Sequence, residues 1–281
     1  TAPKPEGPYT FAEVVLPARG REFWDGRMTH NPAIVQRNGQ LLLFYTGTTY
    51  SGPSPTPADG LSARDLGAGE EARKQADPRV IEAHRNQRIG VAVAERPEGP
   101  WRRADVPALE PRLGCWDALM TTNPAPCAAP DGQIYLIYKS MARLGGLMHL
   151  GLAKAEHPEV SFERASDEPL FQFDEAEEHV EDPFLWHDGH CFHLIAKDMK
   201  GGLSGTPKEG IYLTSRDCLQ WDAGAVQHAY TRTVPWEDGT STVQAFLERP
   251  SLLFHGDKPA YFFAATAIGG DAVNAITDAW N

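Results

Sequence analysis

The sequence lacks the features that identify several common protein classes. No two of its four cysteines have the C-x-x-C spacing of a metal site; they are Cys115, Cys127, Cys191 and Cys218. Free thiols are predicted, with one disulfide left open. No H-E-x-x-H or G-x-S-x-G motif is present, and no glycine-rich phosphate loop leads from a strand into a helix. No catalytic metal and no cofactor are therefore expected, while a structural cation such as calcium is left open.

The chain has fewer basic than acidic residues, with 26 lysines and arginines against 38 aspartates and glutamates. The formal net charge of −12 at pH 7 argues against nucleic acid as a partner, because a phosphate backbone requires a basic stripe. No apolar stretch is long enough to span a membrane. The chain starts without a methionine, so we expect a removed signal peptide and a secreted or periplasmic protein. The sequence predicts no particular oligomeric state.

One motif occurs twice in the chain. Residues 24–32 and 116–124 both read W-D-x-x-M-T-x-N-P, and each copy precedes an apolar run, a glycine turn and a second apolar run. Self-similarity over such a distance is typical of a repeat architecture.

Four segments share this plan. Each opens with an X-Pro pair; the pairs are Asn31-Pro32, Asn123-Pro124, Asp182-Pro183 and Arg249-Pro250. A turn follows in each segment, at Asn38-Gly39, Asp131-Gly132, Asp188-Gly189 and Gly256-Asp257. Asn-Gly and Asp-Gly between apolar runs are strong hairpin signals. Third strands are predicted over 88–94, 148–155, 210–215 and 272–277, and more polar fourth strands over 101–106, 161–169 and 223–231.

These units predict an all-β fold, a β-propeller of four-stranded blades in one domain, residues 1–281. The strand predicted over residues 9–16 would complete the last blade and close the ring, which removes exposed sheet edges. A β-sandwich would not explain the repeated X-Pro openings. Residues 51–87 form a predicted insertion in the first blade, and residues 201–208 form a shorter one in the third.

Antiparallel pairing places the start of each first strand beside the end of each second strand. The residues at these positions should therefore surround one funnel; they are His30, Asn31, Thr122, Asn123, Glu181, Asp182, Glu248 and Arg249, with Thr46, Lys139, Lys197, Asp198 and Thr266. Carboxylates on different blades can face each other across a substrate, as acid/base chemistry requires.

The segments 31–35, 181–184 and 248–252 resemble the blade openings of glycoside hydrolase families 43, 32 and 117, and residues 88–94 with 99–101 resemble their third and fourth strands. The resemblance covers most of the chain at the level of blade motifs. It implies a five-bladed propeller and a glycosidase that acts on an oligosaccharide or polysaccharide in the axial funnel. By the match to family 43, Asp182 would tune the acid and orient the substrate, and Glu248 would be the general acid.

The chain departs from family 43 at the first opening, where Asn31 replaces the aspartate base and cannot take a proton. Asp25 is the nearest replacement, and Asp117 is its counterpart in the second copy. His30 is another candidate, because histidine serves as an acid in family 117. Alternatively, both aspartates pin loops by hydrogen bonds to backbone amides. A carbohydrate-binding propeller without a base also fits, and a protein-interaction propeller fits less well.

His30, Asp117 and the remaining candidates are predicted to bind substrate. Asn31 and Asn123 should be extended because they precede proline, and their amides would bind sugar hydroxyls. Glu181 is a further candidate in the funnel. Three cations suggest an anionic glycan, uronate or sulfated, unless they pair with the neighbouring carboxylates; they are Lys139, Lys197 and Arg249. A funnel covered by the long insertion favours exo-action on a chain end.

Overall fold

The strands form four antiparallel sheets of four strands each, the blades of a four-bladed β-propeller. The structure is a computed structural model that describes residues 1–54, 75–171, 179–222, 226–268 and 279–280. Blade one contains β1 (Met28–Arg37), β2 (Gln40–Thr48), β3 (Arg88–Ala94) and β4 (Arg102–Arg103). Blade two contains β5 (Thr122–Ala128), β6 (Ile134–Ser140), β7 (His149–Ala155) and β8 (Glu163–Arg164).

Blade three contains β9 (Val180–His187), β10 (Phe192–Asp198), β11 (Glu209–Ser215) and β12 (Gln227–Tyr230). Blade four contains β13 (Thr233–Pro235), β14 (Ser241–His255), β15 (Lys258–Ile268) and β16 (Ala279–Trp280). The fold class and the hairpins predicted from the Asn-Gly and Asp-Gly turns are confirmed. The fifth blade implied by the resemblance is not among the described residues, and the single-domain assignment stays a prediction.

The blades follow one another around the axis through their innermost strands. β1 contacts β5, β5 contacts β9, and β9 contacts β14. One apolar core lies between blades one and two and includes Phe44, Ile89 and Leu136. A second lies between blades two and three and includes Ile137 and Leu194.

The N-terminal segment does not close the ring as predicted. Residues 9–16 form no strand, so that prediction is wrong. The side chains of Tyr9, Phe11 and Val14 are exposed, and of this segment only Leu16 joins a core cluster, beside Tyr45 and Ala92 of blade one. The segment bonds to its own start, with the Thr10 amide donating to the Thr1 carbonyl at 2.7 Å.

Both predicted insertions interrupt their blades between the second and third strands. Residues 55–74 of the first lie outside the described part, and the rest contains helix α1 (Pro78–Arg85). Asp77 caps α1 by accepting from the Arg79 amide, and Pro78 occupies the first turn, where a missing N–H costs nothing. The second insertion folds over Asp198, whose carboxylate accepts four backbone N–H groups, from Lys200, Gly201, Leu203 and Ser204.

Blade four differs most from its predicted form. β14 pairs with β13 on one side and β15 on the other, so the β13 hairpin is an addition that the sequence pattern did not indicate. The third strand predicted over residues 272–277 lies outside the described residues. All four cysteines are free thiols. No helix in the described ranges is long and apolar enough to cross a membrane.

The first Trp-Asp pair braces blade one from inside. Asp25 is fully buried and forms ion pairs with Arg19 at 2.7 Å and Arg103 at 3.2 Å. It also accepts a hydrogen bond from the Tyr45 hydroxyl at 2.8 Å. Trp24 stacks on the ring of Tyr45, with centroids 5.8 Å apart. The aspartate thus ties the segment before β1 to β2 and β4.

The second pair repeats this arrangement in blade two. Asp117 is fully buried and pairs with Arg112 at 3.0 Å and Arg164 at 2.6 Å. The Tyr138 hydroxyl donates to it at 2.9 Å, and Trp116 stacks on Tyr138 with the same 5.8 Å separation. The long-range repeat in the sequence is therefore a repeated buried ion cluster.

Removal of the Asp25 charge should destabilise the protein strongly. Asp25→Asn leaves the guanidinium groups of Arg19 and Arg103, whose side chains are only 15% and 9% exposed, without their shared buried anion, so we expect a loss of about 3–5 kcal/mol in the free energy of unfolding. Asp105→Asn is the matched control, because Asp105 pairs with the same Arg19 but its side chain is 80% exposed; it should cost no more than about 1 kcal/mol. Equal losses in denaturant titrations of the two variants would contradict the bracing role.

Candidate active site

Each X-Pro opening forms the same β-bulge. The pair opposes a single residue of the next strand, as Asn31-Pro32 lies between the pairs His30–Thr46 and Ala33–Phe44. The same irregularity occurs in the other three blades. The residue before proline is left-handed every time, with φ of 54°, 54°, 53° and 57° at Asn31, Asn123, Asp182 and Arg249.

The prediction that Asn31 and Asn123 are extended is therefore wrong. The bulge requires an extra residue at the start of each first strand, and that residue turns into the left-handed region. Asn and Asp tolerate this region better than most side chains, which suits three of the four positions. As a consequence, four polar side chains leave the ladder and converge between the blades.

Side-chain hydrogen bonds join the four bulges into one chain. The Asn31 amide donates to Asn123 Oδ1 at 3.1 Å, and the Asn123 amide donates to Asp182 Oδ1 at 3.0 Å. Arg249 approaches Asp182 Oδ1 with its Nε at 3.3 Å and donates to Asn123 Oδ1 from a terminal nitrogen at 2.5 Å. The four residues that precede proline, one from each blade, are thus in direct contact.

A buried lysine lies at the centre of the carboxylates. Lys197 is 1% exposed, and its Nζ lies 2.8 Å from Glu181, 3.1 Å from Asp182 and 2.9 Å from Glu248. Burial alone would lower the pKa of Lys197, but the three carboxylates outweigh it and raise this pKa well above its ordinary value. Glu248 is the most accessible of the three acids, with 43% of its side chain exposed.

Glu181 binds a second cation on the neighbouring blade. Its other oxygen accepts from Lys139 Nζ at 2.7 Å. Burial raises the pKa of Glu181, yet Lys139 and Lys197 together lower it below its ordinary value. Glu181 therefore links blades two and three as a carboxylate with both oxygens engaged.

Two histidines border this cluster. Burial lowers the pKa of His30 to about 4 even though a hydrogen bond to Asn31 raises it, and the charges of Arg249 and Lys139 lower it further. His30 Nε2 is buried and has no hydrogen-bond partner within the described ranges. His84 of helix α1 has its pKa lowered to about 4 by burial and by the charges of Lys139 and His30.

His84 was not predicted as a site residue. The capping signal Asp77-Pro78 marks the start of its helix, but it does not show where the helix docks. Contacts show this: Thr48 Oγ1 donates to the Ala83 carbonyl, and the Asn86 side chain donates to the Thr49 carbonyl at 2.9 Å. Helix α1 thus lies against the end of β2, at the funnel.

Asp25 and Asp117 do not join the funnel cluster. Both side chains are fully buried in the arginine clusters of their own blades, which favours the structural alternative for each. The three cations Lys139, Lys197 and Arg249 do reach the funnel, but each is paired with a carboxylate. Three cations thus meet three carboxylates, and their formal charges balance.

The carboxylate cluster does not suit a calcium ion. Oxygens of Glu181, Asp182 and Glu248 lie within 4.8 Å of one another, as a cation site would require. However, the Lys197 ammonium contacts all three, so it already occupies the place between the carboxylates and supplies positive charge there.

Comparisons with known proteins support the fold. No protein-family model and no curated sequence matches the chain. A family 117 glycoside hydrolase from the marine bacterium Zobellia galactanivorans matches with a TM-score of 0.54 and 16% identity, over 92% of this chain and 71% of that one. The GH43_1 enzyme of Xanthomonas citri has a TM-score of 0.56 and 14% identity, over 86% and 67%.

A β-xylosidase is similar to the same degree, with a TM-score of 0.56 and 14% identity over 86% of this chain and 72% of that one. A thermostable family-43 glycoside hydrolase has a TM-score of 0.53, and this chain covers 65% of it. The chain thus spans about two thirds to three quarters of these proteins. The resemblance to glycoside hydrolase families 43 and 117 is confirmed at the level of the fold.

The Glu181 ion pairs should make the free energy of unfolding decrease as the pH falls below about 4.5. The pKa of Glu181 in the folded protein lies below its ordinary value of 4.5, so its stabilising effect is complete above that pH and is lost as the pH falls further. We expect the free energy of unfolding to fall less steeply with acid in Glu181→Gln than in wild type, by up to ~1.4 kcal/mol per pH unit.

Glu159→Gln is the control, because Glu159 is exposed and its ion pair is with exposed Arg102. Its acid dependence should follow wild type. Parallel curves for wild type and Glu181→Gln from pH 5 downward, within about 0.3 kcal/mol, would show that the ion pairs do not have this effect.

Proposed function

We propose that the protein is a glycoside hydrolase whose active site is the funnel around Lys197. One observation carries the proposal: residues from four blades converge on a cluster of three carboxylates in which only Glu248 is substantially exposed. An acid that can reach substrate, held against a buried and fixed charge network, is the arrangement that glycosidic acid catalysis requires. The shared fold of the glycoside hydrolases above supports the same activity.

Glu248 acts as the general acid in this proposal and protonates the glycosidic oxygen of the leaving group. Asp182 is buried and held by Asn123, Lys197 and Arg249, so its role is to position the cluster. The exposed atoms of Asn31 and Arg249 complete the substrate-binding surface. This division of roles follows from exposure, since a fully paired carboxylate cannot approach a sugar.

His30 replaces Asp25 as the candidate base. Asp25 lies in its arginine cluster, whereas His30 adjoins Asn31 and its pKa of about 4 leaves the imidazole neutral near pH 7. Its Nε2 is buried and has no hydrogen-bond partner within the described residues, so in this proposal the attacking water must bind directly beside it to give up its proton. A neutral imidazole therefore takes the role that Asn31 cannot perform.

The balanced charges of the funnel favour a neutral glycan over the uronate or sulfated glycan suggested by the sequence. Helix α1 brings His84 to the funnel, and this cover on one side supports exo-action on a chain end. Secretion stays part of the proposal, since glycan polymers are extracellular substrates.

Loss of either proton-transfer group should abolish turnover while binding is retained. We expect Glu248→Gln and His30→Gln each to lower kcat by about 10²–10⁴-fold on an oligosaccharide that the wild type cleaves. Reducing-sugar release measures turnover, and calorimetry measures binding to the same oligosaccharide. His190→Gln, at an exposed turn, should behave as wild type.

A carbohydrate-binding propeller is the second candidate, favoured by Asn31 at the first opening. Wild-type binding of an oligosaccharide panel with no turnover on any member would establish this alternative. The absence of both binding and turnover on every member of the panel would contradict both candidate functions. Unchanged turnover in Glu248→Gln would remove Glu248 from the acid role.

Neutral and charged substrates should be distinguishable in one assay. With its cations already paired, the funnel should prefer a neutral oligosaccharide over its uronate or sulfated counterpart by at least about tenfold in kcat/KM, because an added anion faces carboxylates without a free cation. Comparison of matched oligosaccharides at fixed ionic strength measures this preference. A preference for the charged member would restore the anionic-glycan prediction.

A further inference from the structure

Three potential metal ligands converge at the turn between β9 and β10. Nε2 of His193 lies 3.1 Å from Asp188 Oδ2 and 3.5 Å from Cys191 Sγ. The three ligand atoms all lie within 4.8 Å of one another. This turn is at the opposite end of the hairpin from Asp182 and Lys197, so the cluster is separate from the funnel.

The separations are those of a tetrahedral metal centre. Zinc bonds of roughly 2.0 Å to nitrogen and oxygen and 2.3 Å to sulfur place tetrahedral N and S ligands about 3.6 Å apart, and N and O ligands about 3.3 Å apart. The distances to His193 differ from these by only one or two tenths of an ångström. Two of the three ligand separations therefore already match those around a tetrahedral metal, and the third lies within 4.8 Å.

The turn holds two of the ligands in place. Asp188 Oδ1 accepts the amides of His190 at 2.8 Å and Cys191 at 2.9 Å, which leaves Oδ2 directed at His193. The Asp188 amide also donates to the Cys191 carbonyl at 3.2 Å. Asp188 and Cys191 thus have a fixed separation before any ion binds.

The histidine is oriented by its other nitrogen. His193 Nδ1 shares a 2.7 Å hydrogen bond with the Tyr212 hydroxyl, and the imidazole stacks on Trp186 with centroids 4.8 Å apart and planes 10° apart. When Nδ1–H donates to the tyrosine oxygen, Nε2 carries the lone pair. A partner of this kind on the second nitrogen is the usual support of a histidine ligand.

We propose that Asp188, Cys191 and His193 form a binding site for a divalent transition metal of the zinc type. The Cys191 thiol releases its proton to solvent and binds as a thiolate, and His193 binds through Nε2. Asp188 supplies the third ligand, and its 31% exposed side chain leaves the fourth position to water. The mixed N, S and O ligands exclude Ca²⁺ and Mg²⁺, which prefer oxygen alone. The ion would fix the hairpin of blade three.

Cobalt spectroscopy tests the site directly. Addition of Co²⁺ alone to the full chain, under anaerobic reducing conditions, should give a thiolate-to-cobalt charge-transfer band that an equimolar amount of Zn²⁺ removes. Cys191→Ser should lose the band, and His193→Gln should lose tight binding. Tyr212→Phe should keep the band but weaken cobalt and zinc binding by about 10–100-fold, as the loss of a supporting hydrogen bond does.

Cys115→Ser and His190→Gln are matched controls, because Cys115 is another accessible free thiol and His190 lies in the same turn; both should keep the band and the affinity. Circular dichroism confirms that each variant is folded. A missing band in wild type, or a band that survives in Cys191→Ser, would overturn the proposal. Equal binding of Ca²⁺ would overturn the ligand assignment.

Discussion

The buried ammonium of Lys197 is the interaction on which the centre of this protein depends. Glu181 and Asp182 from blade three and Glu248 from blade four bring three acids within 4.8 Å of one another, where like charges repel and burial penalises ionisation. The ammonium contacts all three, so their charges can coexist even though Glu181 and Asp182 are buried. Asp182 also binds Asn123 and Arg249. Lys197 is therefore connected through Asp182 to the openings of blades two and four.

Most of the blade organisation could be predicted from the sequence. Asn-Gly and Asp-Gly turns require left-handed residues, so they marked the hairpins directly, and antiparallel pairing then indicated which side chains share the funnel. Glu248, Asp182, Glu181 and the three cations meet there for that reason. Local rules of turn chemistry and strand direction were sufficient, because these residues lie at fixed positions within each hairpin.

Other features depended on tertiary contacts that local rules do not contain. The residue before proline is normally extended, but at Asn31 and Asn123 the bulge overrides that preference. Asp25 was predicted to be a base because it lies close to Asn31 along the chain. In the structure, Arg19 and Arg103, from segments before and after it, hold it in the blade interior. His84 lies in an insertion without a counterpart in other blades, so no repeat could indicate its place.

The four bulges also separate the chemistry of the funnel from the stability of the sheet. Proline has no amide N–H, so the extra residue enters the ladder without leaving an unpaired donor behind. The side chain before it takes part in neither the ladder nor the apolar cores. Asn, Asn, Asp and Arg accordingly occupy one backbone conformation in a single molecule. At the two partly exposed positions, Asn31 and Arg249, point substitutions can therefore change the lining of the pocket while the sheet ladder persists.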